Sequence, residues 1–362
     1  MRETVDDDTE SFTDARAELQ IHRNSDPVNL RLRLRYDYAG TRQTDSGADT
    51  SDFDPADRTT VSTEADFVVN DRVVFIGGIG LTHADDTNGS DCVRYSFREV
   101  FNTTMSAQAL APVVTDEYGD DLSFYQLYAD YNWGQSQQES MNTYFTEAGW
   151  SQIDSVATPL GTSDFSSFLS QVPRDEADVL FLNHYGLDGA NSLSQAIDRG
   201  LNEDVEIVMP LYNRPMAQAA SGAIDGVFGT AAWDSQIDNE PSNQFTQAFQ
   251  DEYDRIPSGV AQLAYAQTLQ YAAAVERAGT FYPPEVIRQL EDYEYDNIGM
   301  GPETMRACDH QAHRAVPVVR GLPEDEQEQG QFFEIVELTP RDEIGYGCDE
   351  GPAAECDLGP YE

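Results

Sequence analysis

"DVLFLNHY", residues 178–185, decides the fold class. Val179 to Leu182 run apolar without the in-and-out alternation of a strand wetted on one side, the pattern of a strand covered on both faces. Its neighbours have a different period. "TSDFSSFLSQV" (162–172) opens with Ser163 and Asp164 as cap candidates and sets Phe165, Phe168, Leu169 and Val172 on one helical face. "NSLSQAIDRG" (191–200) reads as a helix stopped by Gly200. Further out, strands are expected at "LSFYQLYA" (122–129), "SQIDSVATPL" (151–160), "VEIVMPLY" (205–212) and "GVFGTAAW" (226–233). Between the first two, "GQSQQESMNTYFTEAGW" (134–150) spaces Met141, Tyr144, Phe145 and Ala148 as a helix, with Gly149 at its stop. Strand and helix alternating at short intervals imply an α/β fold with a parallel, doubly wound sheet.

A helical block follows at "NQFTQAFQDEY" (243–253), "GVAQLAYAQTLQYAAAVERAG" (259–279) and "PPEVIRQLED" (283–292). In the second of these, Tyr265, Leu269, Ala272 and Ala273 are expected to face inward. "RAVPVV" (314–319) and "QFFEIVEL" (331–338) read as closing strands. Nearer the start, "NLRLRLRY" (29–36) alternates as a half-buried strand, and residues 41–64 read as a polar loop.

Charge narrows the function classes. The formal net charge is -45 and every Lys or Arg position is arginine. Such a chain repels nucleic-acid backbones and anionic membrane surfaces. Net charge of this size suggests disorder, but 40% hydrophobic residues suffice for a buried core. An acidic, lysine-free, globular chain has the surface chemistry of extreme halophiles, where carboxylates keep the protein hydrated in concentrated salt. The 362 residues suggest two domains. No apolar run reaches membrane-spanning length, so no direct membrane insertion is expected, and "MRETVDDDTESF" (1–12) has no signal-peptide core. Four cysteines, an even number, suit an oxidising compartment. Cys348 and Cys356 bracket a small loop in an acidic tail, and the pairing of these two with Cys92 and Cys308 stays open.

Chemistry has few footholds. "FIGGIG" (75–80) holds Gly78 and Gly80 as G-x-G, but no third glycine follows at the dinucleotide spacing, and the chain has no P-loop lysine. "CDHQAH" (308–313) brings Cys308, His310 and His313 together without the second separated pair of a zinc site, so structural histidines are expected. No nucleophile elbow is present, and no cofactor is expected. Strand ends are more informative, because ligands of open α/β sheets bind outside the carboxyl ends of strands. Trp133 in "ADYNWGQS" (129–136), Tyr185 and Tyr212 occupy three such ends. Each also fits a packing role at a strand–helix corner.

Between Phe67 and Leu322 an ordered set of landmarks resembles the solute-binding proteins of ABC transporters of the branched-chain amino acid and amide/urea type, which have the type I periplasmic-binding fold. These are "CVRYSFR", "YADYNWGQS", "TPLGTSDFSSFLSQV", "ADVLFLNHYG", "FTQAFQDEYDRIPSGVAQLAYAQTLQYAAAVERAG" and "DHQ". The resemblance implies two lobes with parallel sheets flanked by helices and a ligand cleft between them. The first lobe would comprise 1–121 plus 235–300, the second 122–234 plus 301–340, and 341–362 an acidic tail. It implies no reaction, a small amino-acid-like or amide ligand, permease subunits as partners and a place at the cell surface. By position, the backbone at Gly78 and Gly80 meets the ligand's carboxylate and ammonium groups, while Trp133, Tyr185 and Tyr212 contribute from the second lobe. The family's leader and first strand–helix pair are not recognisable here, which makes a truncated homologue that binds nothing one alternative reading; the other, tied to the "GGIG" loop, is a nucleotide-cofactor α/β enzyme.

Overall fold

A computed structural model describes residues 92–327 and 330–361 and, before them, the backbone of five strands. The compact units are Met1–Phe75 and Ile76–Glu362. In the first, β1 (Arg2–Val5), β2 (Ser11–Ser25), β3 (Val28–Ala39), β4 (Thr60–Val69) and β5 (Val73–Val74) pair antiparallel in chain order. The arginine–leucine alternation of 29–36 lies in β3, as read, whereas β4 begins inside the stretch read as a loop. Gly78 and Gly80 lie outside the described residues.

The second unit is built on a seven-stranded sheet. After α1 (Thr103–Tyr118) come β6 (Ser123–Ala129), α2 (Asn132–Glu147), β7 (Ser151–Thr158), α3 (Ser166–Leu169), β8 (Val179–Asn183), α4 (Gly186–Asp198), β9 (Glu206–Tyr212), α5 (Arg214–Ala220) and β10 (Phe228–Ala231). Strands β6 to β10 are mutually parallel. The edge beyond β10 is closed antiparallel by β14 (Val316–Gly321) and β15 (Phe333–Thr339), in the order β15-β14-β10-β9-β8-β6-β7. Every residue of β8 is buried, as its unbroken apolar run requires. One face packs Phe124, Phe181 and Val208 against α1 and α2; the other packs Leu127, Leu180 and Met209 against α4 and α5.

Two expectations need correction. Helix α1 packs on this sheet, with Leu110 and Val114 in the same core as Phe181. Residues 103–118 therefore join the sheet, not the elements before residue 122. The other concerns the block of α6 (Glu240–Tyr253), α7 (Gly259–Ala278) and α8 (Pro283–Leu290), which packs with a small sheet of β11 (Glu294–Tyr295), β12 (Glu303–Met305) and β13 (Ala312–His313). Helix α7 buries Gln262, Ala266, Gln270 and Ala274, one stripe at four-residue spacing, while Tyr265 and Ala272 are exposed. Two glutamines face inward because partners await them: Gln262 bonds Ile298 O, and Gln270 donates to Glu303 Oε1 at 2.8 Å.

The tail is stapled. Cys92 pairs with Cys356 and Cys308 with Cys348, so Cys348 and Cys356 do not close their own small loop. "CDHQAH" is structural: His310 stacks on Phe97 at 4.0 Å and bonds Glu291, and His313 bonds Arg341 O at 2.7 Å.

Candidate functional site

The carboxyl ends of β6, β8 and β9 lie side by side, and each runs directly into a helix. At the end of β6 the chain must turn within two residues. Tyr131 is the N-cap of α2 in an extended conformation, with φ of -157°, and its side chain makes no capping hydrogen bond. Gly134 permits the close return: a Cβ there would sit 2.0 Å from Ala129 O. The turn lays Trp133 down onto the α1/α2 face of the sheet, 3% exposed, with its Nε1 lacking a hydrogen-bond partner.

The end of β8 repeats the arrangement. Tyr185 is the uncapped N-cap of α4, and Gly186 follows at φ +64°. His184 beneath is wholly buried, bonding Ser192 Oγ at 3.0 Å through Nδ1 and Thr158 Oγ1 at 2.9 Å through Nε2. Burial holds it neutral, its pKa pushed down to about 3. It ties the first turns of α4 to the end of β7 and so fixes where Tyr185 stands.

These corners meet. The Trp133 ring centroid is 5.9 Å from that of Tyr131 and 6.1 Å from that of Tyr185, the latter edge-on. Burial, then the charge of Asp188 and Tyr185, pushes the Tyr131 hydroxyl up to about 12. Burial also raises Tyr185, opposed by its hydrogen bond to the Asn213 side chain just beyond β9. Asp188 in the first turn of α4 accepts from Gly161 N at 2.8 Å, joining the loop that carries the exposed Leu160 to the helix start that carries the exposed Leu187.

The geometry thus unites two of the predicted residues, Trp133 and Tyr185. Tyr212 stands apart, its ring 5.1 Å from Phe333 in the core on the α4/α5 side of the sheet. A small cavity of about 20 Å³ beside it, lined by Arg214, Trp233, Asp234 and Gln331, has room for roughly one water. Tyr131, Asp188 and Asn213 are the residues that sequence reasoning missed. Among the described residues, no group of three or more His, Cys, Asp or Glu side chains is placed to hold a metal ion.

Two uncapped helix N-termini, α2 and α4, therefore converge on one aromatic corner. Helix N-termini without a capping side chain favour an anionic group, while the rings favour an apolar body.

Comparison with known proteins bears on the family and the fold. The sequence pattern of the family described as "Periplasmic binding protein" matches residues 53–327. Among solved structures, the chain is similar to a periplasmic binding protein from Burkholderia mallei, with 22% identity over 75% of this chain and 72% of that one and a TM-score of 0.68. It is similar to the amino acid ABC transporter substrate-binding protein from Pseudomonas fluorescens Pf-5, with 20% identity over 73% of this chain and 72% of that one and a TM-score of 0.66. A solute binding protein of an ABC transporter from R. palustris, solved with benzoate, shares 16% identity over 69% of this chain and 67% of that one, with a TM-score of 0.59. A search of curated proteins finds no match.

Proposed function

The chain belongs to the periplasmic binding protein family, and from that premise we propose that it is the solute receptor of an ABC importer, binding at the Trp133–Tyr185 corner. The observation that carries this reading is the meeting of two uncapped helix N-termini on three aromatic rings. The matching ligand is a small carboxylate with an aliphatic, amide or aromatic body. Branched-chain amino acids lead the candidates; the benzoate-bound relative widens them to aromatic acids. The backbone around Gly78 and Gly80 supplies the opposing wall in this proposal, and the molecule closes as two lobes, with residues 103–118 assigned to the second. The two disulfides fit an oxidising, extracytoplasmic setting where permease subunits receive the solute.

A thermal-shift screen in molar KCl tests the reading, with amino acids, small amides, urea and benzoate as probes. A dose-dependent rise in melting temperature with one class is the expected result. No rise with any of them sinks the receptor assignment.

A further inference from the structure

Three stretches lie where the seven-stranded sheet meets the α6–α8 block: 98–102, which leads into α1, 232–239 out of β10, and 314–315 into β14. The first and third run together, with a parallel bridge between Arg98 and Gln311 and a hydrogen bond from Gln311 Nε2 to Val100 O at 2.7 Å. Arg314 binds all three. It is 0% exposed, its Nη1 donates to Glu99 O at 3.3 Å, and its Nη2 donates to Ala232 O at 2.8 Å.

Two buried carboxyls share this one guanidinium. Glu99 Oε1 lies 3.7 Å from Arg314 Nη1, and Glu303 Oε2 on β12 lies 3.5 Å from Nε. Gln270 Nε2 of α7 serves Glu303 Oε1, but neither oxygen of Glu99 nor Glu303 Oε2 receives a hydrogen-bond donor. Nearby polar groups include Tyr295, whose hydroxyl donates to Gln270 O, and Arg277, which donates to that hydroxyl. Two carboxylates against one cation leave an uncompensated charge away from water, which is strongly disfavoured. A proton on one carboxyl removes that charge and supplies a missing donor. Burial first, then the charge of Glu303, raises the Glu99 carboxyl well above the ordinary range against the opposing pull of Arg314.

We propose that Arg314, Glu99 and Glu303 form a clasp across the three crossings, loaded with one proton on Glu99, and that losing this proton loosens the pivot between the two halves. Arg314 acts as a positioning residue. The clasp rests on the receptor reading only in that a binding protein of this family closes by motion about such crossings.

The sign follows from linkage. A carboxyl raised in the folded state contributes stability that is complete below its unfolded value and is lost as pH rises through the folded value. The test compares the full chain with Glu99→Gln and Glu303→Gln, each melted in molar KCl from pH 5 to pH 9. The wild type should fall relative to either variant as pH rises, by roughly 3 °C or more across the range. Hydrogen exchange on the wild type alone, corrected for intrinsic rates, should show protection at 98–101, 232–234 and 311–315 dropping more than protection in β6 and β8. Parallel melting profiles, or an equal loss of protection everywhere, overturn the clasp. Neither measurement uses a ligand, so a failed solute screen and a failed clasp are separate results.

Discussion

Gly134 and Gly229 show how single residues place the site. A methyl group on Gly134 would run into Ala129 O, so Gly134→Ala should cost about 1–3 kcal/mol of stability, read by denaturant unfolding. Trp133→Ala should weaken the identified solute by roughly 1–3 kcal/mol in calorimetry, the scale of a lost buried apolar contact. Unchanged affinity would leave Trp133 a packing residue. His184 gives a pH signature. Its folded pKa lies near 3 against an ordinary 6.5, so the unfolded chain takes up the proton first. Stability should then fall as pH drops from 6.5 toward 3, by about 1.4 kcal/mol per unit from this residue, and His184→Asn should flatten that part of the profile. Trp133 and Tyr185 were legible because each closes a recognisable strand. Tyr212 stands apart from them for a local reason. β9 carries one extra residue opposite Gly229, between the pairs Phe228–Val208 and Thr230–Leu211. That bulge, at Pro210, turns the Tyr212 side chain into the core and leaves Asn213 to meet Tyr185. No periodicity in the sequence announces it.

At the scale of elements, the alternating run from β6 to β10 was readable because every strand but the edge strand β7 is largely buried and each helix follows within a few residues. Helix α1 was not, although Asn102 caps it by accepting from Met105 N at 3.0 Å. Pro112 inside the helix hides its pattern. Helix α7 shows a different failure. Its alanines allow several inward faces, and two buried glutamines settle the matter only through partners distant in sequence. The tail was equally opaque, since pairing depends on where Cys92 and Cys308 come to rest. The Cys308–Cys348 link spans 40 residues, so Cys308→Ala with Cys348→Ala should lower stability by about 3–4 kcal/mol, measured by unfolding under non-reducing conditions.

The whole molecule carries a formal charge of -45 in 362 residues, and its carboxylates repel one another across the surface. Salt at molar strength shortens the range of that repulsion to about 3 Å. The melting temperature should therefore climb steadily from low to molar KCl, and a flat profile would remove the halophile reading. The link between Cys92 and Cys356 has another effect at this scale, because it joins residues 264 apart and turns nearly the whole described unit into a covalent ring. Trp133, Tyr185, Asn213 and Arg314 all lie on that ring. A protease that cuts it once opens the circle but frees no piece. In an environment rich in proteases, a nicked molecule keeps both ends of the cut tethered, and its parts can stay folded together. On a gel, such a molecule should run as one band without reductant and as two with it.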